Sequence, residues 1–130
     1  MIGFDTSAII DILRGNDSIL KFLSKFDEEV YVNDIVYFEL IFGVNVGNKK
    51  HLSEKKKIDF LFDKFSNFSL DKMTIETASK IKWALKKKGF EIDKEDCLIA
   101  GIYLENGVNK IVTKNKKHFE NIKGLKVLSY

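Results

Sequence analysis

The chain has 130 residues, 45% of them hydrophobic, and 22 basic against 19 acidic side chains give a net charge of +3. That is enough for one compact domain over residues 1–130 and too little for two. No apolar run approaches the roughly 18 to 20 residues that span a bilayer, and no basic stretch precedes Ile2-Gly3-Phe4-Asp5, so a soluble, cytoplasmic protein with no membrane partner is expected.

The lone Cys97 excludes an internal disulfide and a thiolate metal cage, and reads as a small buried apolar residue. In chain order, the apolar segment ending at Phe4 reads as a strand. Asp5-Thr6-Ser7 then precede an apolar stripe at Ile9, Ile10 and Leu13 that stops at Gly15, a cap followed by a helix. Asp17-Ser18 opens a second amphipathic helix through Phe26, and after the acidic turn 27–29 Val30-Tyr31-Val32 forms a short strand. Asn33-Asp34 cap a strongly apolar helix, Ile35 to Phe42, closed by Gly43.

Beyond the polar segment 45–53, helical spacing returns at Ile58, Leu61, Phe62 and Phe65, and Phe68-Ser69-Leu70 is a strand candidate. Thr74, paired with Thr77 in a capping box, starts a helix whose apolar positions include Ile75, Ala78, Ile81, Trp83, Ala84 and Leu85, up to Gly89. Asp93 caps a helix with a dense, small apolar face from Cys97 to Leu104, ended by Gly107. Lys110-Ile111-Val112 is a strand, 116–121 a short helix and 125–128 a last strand. Strands separated by helices, with no hairpin signal, imply an α/β fold: a mainly parallel central sheet of four to five strands, flanked by helices in three α/β/α layers.

In such a fold the strand ends gather side chains that are distant in sequence, and three acids are placed to meet there. Asp5 directly follows the first strand; it serves either as helix cap or as metal ligand, and both roles are compatible if Thr6 or Ser7 takes over the cap. Glu39 sits among Val36, Tyr37, Phe38, Leu40, Ile41 and Phe42, a helix apolar nearly all round. A carboxylate there needs compensation by a lysine, by a polar interface or by a metal. Asp96, at the third position of the helix begun by Asp93, is either part of a capping box or a ligand at the helix mouth.

After the 110–112 strand, Thr113, Lys114 and Asn115 offer a hydroxyl, a cation and an amide to a phosphate or a metal-bound water, or else form an ordinary turn with Asn115 as cap. The lysine runs 55–57 and 86–88 read as solvated helix faces, and His51 and His118 as surface residues in lysine-rich surroundings.

Taken together, DTSAIID, FELIFG, EIDKEDCLIAGIYLENG and IVTKNKKHFENIKGLKV resemble, in order and over nearly the whole chain, the motifs of PIN-domain ribonucleases, particularly the VapC-type toxins of toxin–antitoxin pairs. The resemblance implies a Mg²⁺- or Mn²⁺-dependent endoribonuclease with Asp5, Glu39 and Asp96 as catalytic, metal-holding acids and Thr6, Ser7 and Thr113 as supporting hydroxyls. It also implies an RNA substrate, a cognate antitoxin partner and frequent homodimers. Lys114, Lys116, Lys49 and Lys50 are the candidate RNA-backbone contacts. The sequence departs from the family in one respect: a fourth acid often stands where this chain has Asn115, or in an Asp-Phe pair where it has His118-Phe119. One metal or two is therefore open, with Asn115 available to orient water.

Two other classes compete. One is a catalytically weakened PIN-like module that binds RNA or protein. The other is a metal-dependent phosphoryl-transfer domain, against which Glu39 inside a helix and the lack of Asp-x-Asp at Asp5-Thr6-Ser7 both speak.

Overall fold

The computed structural model describes residues 1–130. Five strands form one sheet in the order β3-β2-β1-β4-β5, every neighbouring pair parallel. They are β1 (Ile2–Phe4), β2 (Val30–Asn33), β3 (Ser66–Phe68), β4 (Lys110–Val112) and β5 (Lys126–Leu128). Seven helices connect and cover them: α1 (Thr6–Leu13), α2 (Asp17–Ser24), α3 (Asp34–Phe42), α4 (Leu52–Phe62), α5 (Lys72–Lys87), α6 (Lys94–Glu105) and α7 (Lys116–Phe119). This is the expected three-layer α/β/α arrangement, with five strands. No helix is long and apolar enough to cross a membrane.

The central strand explains why the sheet closes so tightly. All three residues of β1 are buried, as a strand covered on both faces requires. Tyr103 of α6 lies flat against it: a Cβ at Gly3 would stand 2.6 Å from the Tyr103 ring, so only glycine admits the aromatic ring there. The Tyr103 hydroxyl donates to the Phe4 carbonyl, with the Tyr31 carbonyl 3.0 Å away. A core cluster of 22 buried residues, including Phe4, Ile9, Val36, Ile99 and Ile111, surrounds this contact.

Several local expectations shift by a few residues, for visible reasons. The capping box of α5 is formed by Asp71 and Thr74, in place of Thr74 and Thr77: Asp71 Oδ1 accepts from Thr74 N–H at 2.8 Å, and Thr74 Oγ1 accepts from Asp71 N–H at 2.9 Å. The edge strand β3 runs over 66–68 rather than 68–70, because Asp34 Oδ2 captures the Leu70 N–H at 3.0 Å and draws the chain off the sheet. On α5 the packed stripe is Thr74, Ala78, Ile81 and Leu85, whereas Ile75 and Trp83 are 47% and 56% exposed. Helix α3 likewise is not buried all round: Phe38 and Phe42 face outward, 42% and 78% exposed, with ring centroids 4.3 Å apart.

Candidate metal and nuclease site

Asp5 leaves β1 with extended backbone and itself caps α1: Oδ1 accepts from Ala8 N–H at 3.0 Å and from Ser7 Oγ at 2.7 Å. Neither Thr6 nor Ser7 takes over the cap, so the compatibility expected from the sequence is achieved differently. Oδ2 accepts only from Thr113 Oγ1, at 2.5 Å, and a carboxylate oxygen with one donor keeps a lone pair for another ligand. Burial pushes the Asp5 carboxyl above its ordinary range, against the lowering effect of these donors.

Glu39 is half-buried, and its Oε1 accepts from Thr6 Oγ1 at 2.6 Å. No lysine or arginine forms an ion pair with it. Its carboxyl is raised first by burial and then by the negative charges of Glu95, Asp5 and Asp93. Asp96 occupies the third position of α6, but the capping box is absent: Asp93 makes no side-chain capping bond. Instead Asp96 Oδ2 lies 2.9 Å from His118 Nδ1. Burial pushes the Asp96 carboxyl up to about 6, the His118 charge acts against this, and the charges of Glu39 and Asp5 add to it.

The negative charge of Asp5 thus acts on Glu39, and those of Glu39 and Asp5 on Asp96, so the three acids are electrostatic neighbours. They do not form a closed cage, since no three His, Cys, Asp or Glu side chains stand close enough to ligate one ion directly. Their hard oxygen donors nevertheless fit a cation such as Mg²⁺, which binds through one or two carboxylates and keeps several waters.

The β4–α7 turn completes the site. Thr113 is fully buried, donates to Asp5 and accepts the Asn115 N–H at 2.9 Å. Asn115 holds the cap position of α7, but its side chain makes no capping bond. The Lys114 N–H donates to Ser7 Oγ at 3.1 Å, while its ammonium turns to Asp11, 3.4 Å away. Lys116 is exposed at the first position of α7. Lys49 and Lys50 lie exposed on a 3₁₀ turn, and no hydrogen bond or ion pair ties them to the acids.

Two residues of this network escape a reading of the sequence alone. His118 reads as a bland surface residue, yet it is the one side chain that pairs with Asp96. Its signal lay in its place in the last motif, where an acid is usual. Asp11, inside DTSAIID, is buried and accepts from Tyr130 Oη at 2.6 Å. That bond, foremost, and Lys114 hold its carboxyl below the ordinary range. The i to i+6 spacing from Asp5 gave no hint of it.

The PIN domain family model matches residues 2–125. A chain of VapBC2 from Rickettsia felis, solved with a DNA fragment of its promoter, superposes with a TM-score of 0.86 at 23% identity, covering 100% of this chain and 99% of that one. A chain of VapBC-1 from nontypeable Haemophilus influenzae gives 0.82 at 25% identity, covering 99% and 98%. VapC20 of Mycobacterium tuberculosis, a Sarcin-Ricin loop cleaving toxin, gives 0.68 at 13% identity, covering 97% and 99%. No curated protein sequence matches significantly. With a parallel five-stranded sheet and a family match over nearly its whole length, the chain belongs to the PIN-domain family.

Proposed function

We propose that the chain is a VapC-type toxin: an endoribonuclease that hydrolyses RNA phosphodiester bonds with Mg²⁺ or Mn²⁺. The observation that carries this reading is the placement of Asp5, Glu39 and Asp96 as neighbouring carboxylates, with the charge of Asp5 raising Glu39, the charges of Glu39 and Asp5 raising Asp96, and no lysine or arginine paired to any of the three. Such an arrangement favours a cation, and a bound divalent ion would activate a water and neutralise charge developing on the phosphate. Asp5 and Asp96 are the residues to hold it, with Glu39 direct or through water.

The chain's other groups fix these acids in place. Thr113 and Ser7 lock the Asp5 carboxylate, Thr6 orients Glu39, and His118 orients Asp96. Asn115, whose side chain makes no capping bond, would orient water or a phosphate oxygen. Lys116, and Lys114 when released from Asp11, are candidates for the RNA backbone, as are Lys49 and Lys50 on their 3₁₀ turn. By likeness to the VapBC complexes, an antitoxin is the expected protein partner, and a homodimer the expected assembly.

The test is incubation of the purified protein with total cellular RNA, with Mg²⁺ or with chelator, and mapping of the cut ends. Discrete cuts that need the metal and disappear in Asp5→Asn and Asp96→Asn support the reading; undiminished cutting by Asp5→Asn overturns it. One observation favours a second reading, a catalytically weakened binding module: His118 stands where the family often has an acid. Magnesium titration separates the two, because the weakened module would show no saturable uptake of the ion.

A further inference from the structure

Trp83 is the chain's only tryptophan, and it lies off the stripe by which α5 packs, 56% exposed. Two lysines attend its ring: Lys82 Nζ and Lys86 Nζ lie 5.3 and 5.0 Å from the centroid. Neither ammonium forms an ion pair with a carboxylate, so their only recorded partner is the indole face.

The same two lysines line one side of a groove of about 470 Å³ between the end of α5 and the start of α6. Asp93 and Glu95 line it too. These acids flank the site described above: their charges act on Glu39, and Glu95 directly precedes Asp96. The groove thus runs from these two lysines, beside which Trp83 stands outside the lining, to an acidic side formed by Glu91, Asp93 and Glu95.

A protein segment seated here would meet charges of both signs over a small apolar floor. A single nucleic-acid strand matches better, because its phosphates suit two ammonium groups that have no carboxylate partner and an unpaired base suits a large exposed ring. A duplex matches less well, since its bases are already stacked and paired. We infer that Lys82, Trp83 and Lys86 form a docking platform for single-stranded RNA, with a base stacked on the indole and the strand running along the groove towards Asp96. This inference rests on the ribonuclease reading and names a substrate-binding surface for it.

The single tryptophan makes the platform directly observable. Intrinsic fluorescence is followed while a short, mixed-sequence 2′-O-methyl oligoribonucleotide, which resists cleavage, is titrated into the full chain. Saturable quenching is expected with the single strand and none with the same sequence as a duplex. By fluorescence anisotropy of a labelled strand, Trp83→Leu is expected to weaken binding about 5- to 100-fold, and Trp83→Phe, which keeps a stacking ring, much less. Lys82→Ala with Lys86→Ala is expected to lower the slope of log affinity against log salt by about 1.4, the share of two phosphates on a single strand.

If the chain binds and cuts RNA while its emission stays constant and these variants bind within twofold of the parent, the platform is wrong and the ribonuclease reading stands. If the parent neither binds nor cuts RNA, both readings fall together. Emission that shifts with protein concentration alone means that a second copy covers Trp83, which also overturns the platform.

Discussion

The Asp96 carboxylate and the His118 imidazole meet at 2.9 Å across 22 residues of sequence. The pair joins the first turn of α6 to the short helix α7 and makes His118 the partner that orients an acid of the proposed metal site. Removing partners of this outer kind typically costs 10- to 100-fold in metal affinity or activity. His118→Ala is expected to fall in that range, and His118→Gln, which keeps a donor, to recover part of the loss. Mn²⁺ titration calorimetry alongside RNA cleavage checks this; wild-type metal affinity in His118→Ala would leave the histidine without a role.

Loss of a carboxylate should be costlier than loss of its partner. Asp5→Asn and Asp96→Asn are each expected to lower metal-dependent cleavage by about 100-fold or more, beyond the range for outer partners. An asparagine at position 5 can still accept the Ala8 N–H that caps α1, so the melting temperature should change little. Collapse of the circular dichroism spectrum in Asp5→Asn would mean that the residue is chiefly structural.

The three acids also fix a pH dependence whose sign is opposite to that of an ordinary paired carboxylate. Asp5, Glu39 and Asp96 have folded-state pKa values raised above their unfolded ones, Asp96 to about 6. Between those values the folded state holds more protons, so their contribution to stability is full below the unfolded values and is lost as pH rises through the folded ones. In chelator, melting temperature should therefore rise as pH falls from about 7.5 towards 5, and Asp96→Asn should flatten the upper part of that rise. Asp11, held low by Tyr130 and Lys114, and Asp59, held low by its bonds from Lys55 and the Tyr37 hydroxyl, lose stability only as pH falls below the ordinary carboxylate range. Saturating Mg²⁺ should reverse the slope near neutrality, because an ion at the ionised site stabilises the folded state. A melting temperature flat from 7.5 to 5 in chelator would contradict the account.

At Gly101 the limit is steric. A Cβ there would stand 2.9 Å from both Ala78 N and the Thr74 carbonyl oxygen, where α6 rests on α5. The obstacle is backbone, so relief requires the helices to part. Gly101→Ala is expected to destabilise the fold by about 1–3 kcal/mol, the usual range for overpacking, as read from urea denaturation; a neutral or stabilising effect would show that the two helices separate freely.

The sequence carried the sheet, and the positions of Asp5, Glu39 and Asp96 on their elements, well because both depend on local signals: short apolar runs, caps and glycine stops. It did less well where a distant contact overrode a local preference. Asp34 reaching Leu70 moved β3, and Asp71 rather than Thr74 began α5. Trp83 counted as core because it is apolar and falls near the helical period, but the packed stripe passes one side of it. His118 and Asp11 were hidden for another reason: each owes its role to a partner 22 or 119 residues away, Asp96 and Tyr130. No spacing rule reports such a pairing.

The bond between Thr113 and Asp5 spans 108 residues and joins the turn after β4 to the end of β1. During synthesis, Asp5 emerges well before its hydroxyl clamp and the imidazole at His118. A ribosome-bound chain that has not yet released β4 therefore carries acids without their scaffold. Completion of the site is thereby tied to closure of the sheet: Asp5 is clamped only once the turn after β4 has docked beside the end of β1.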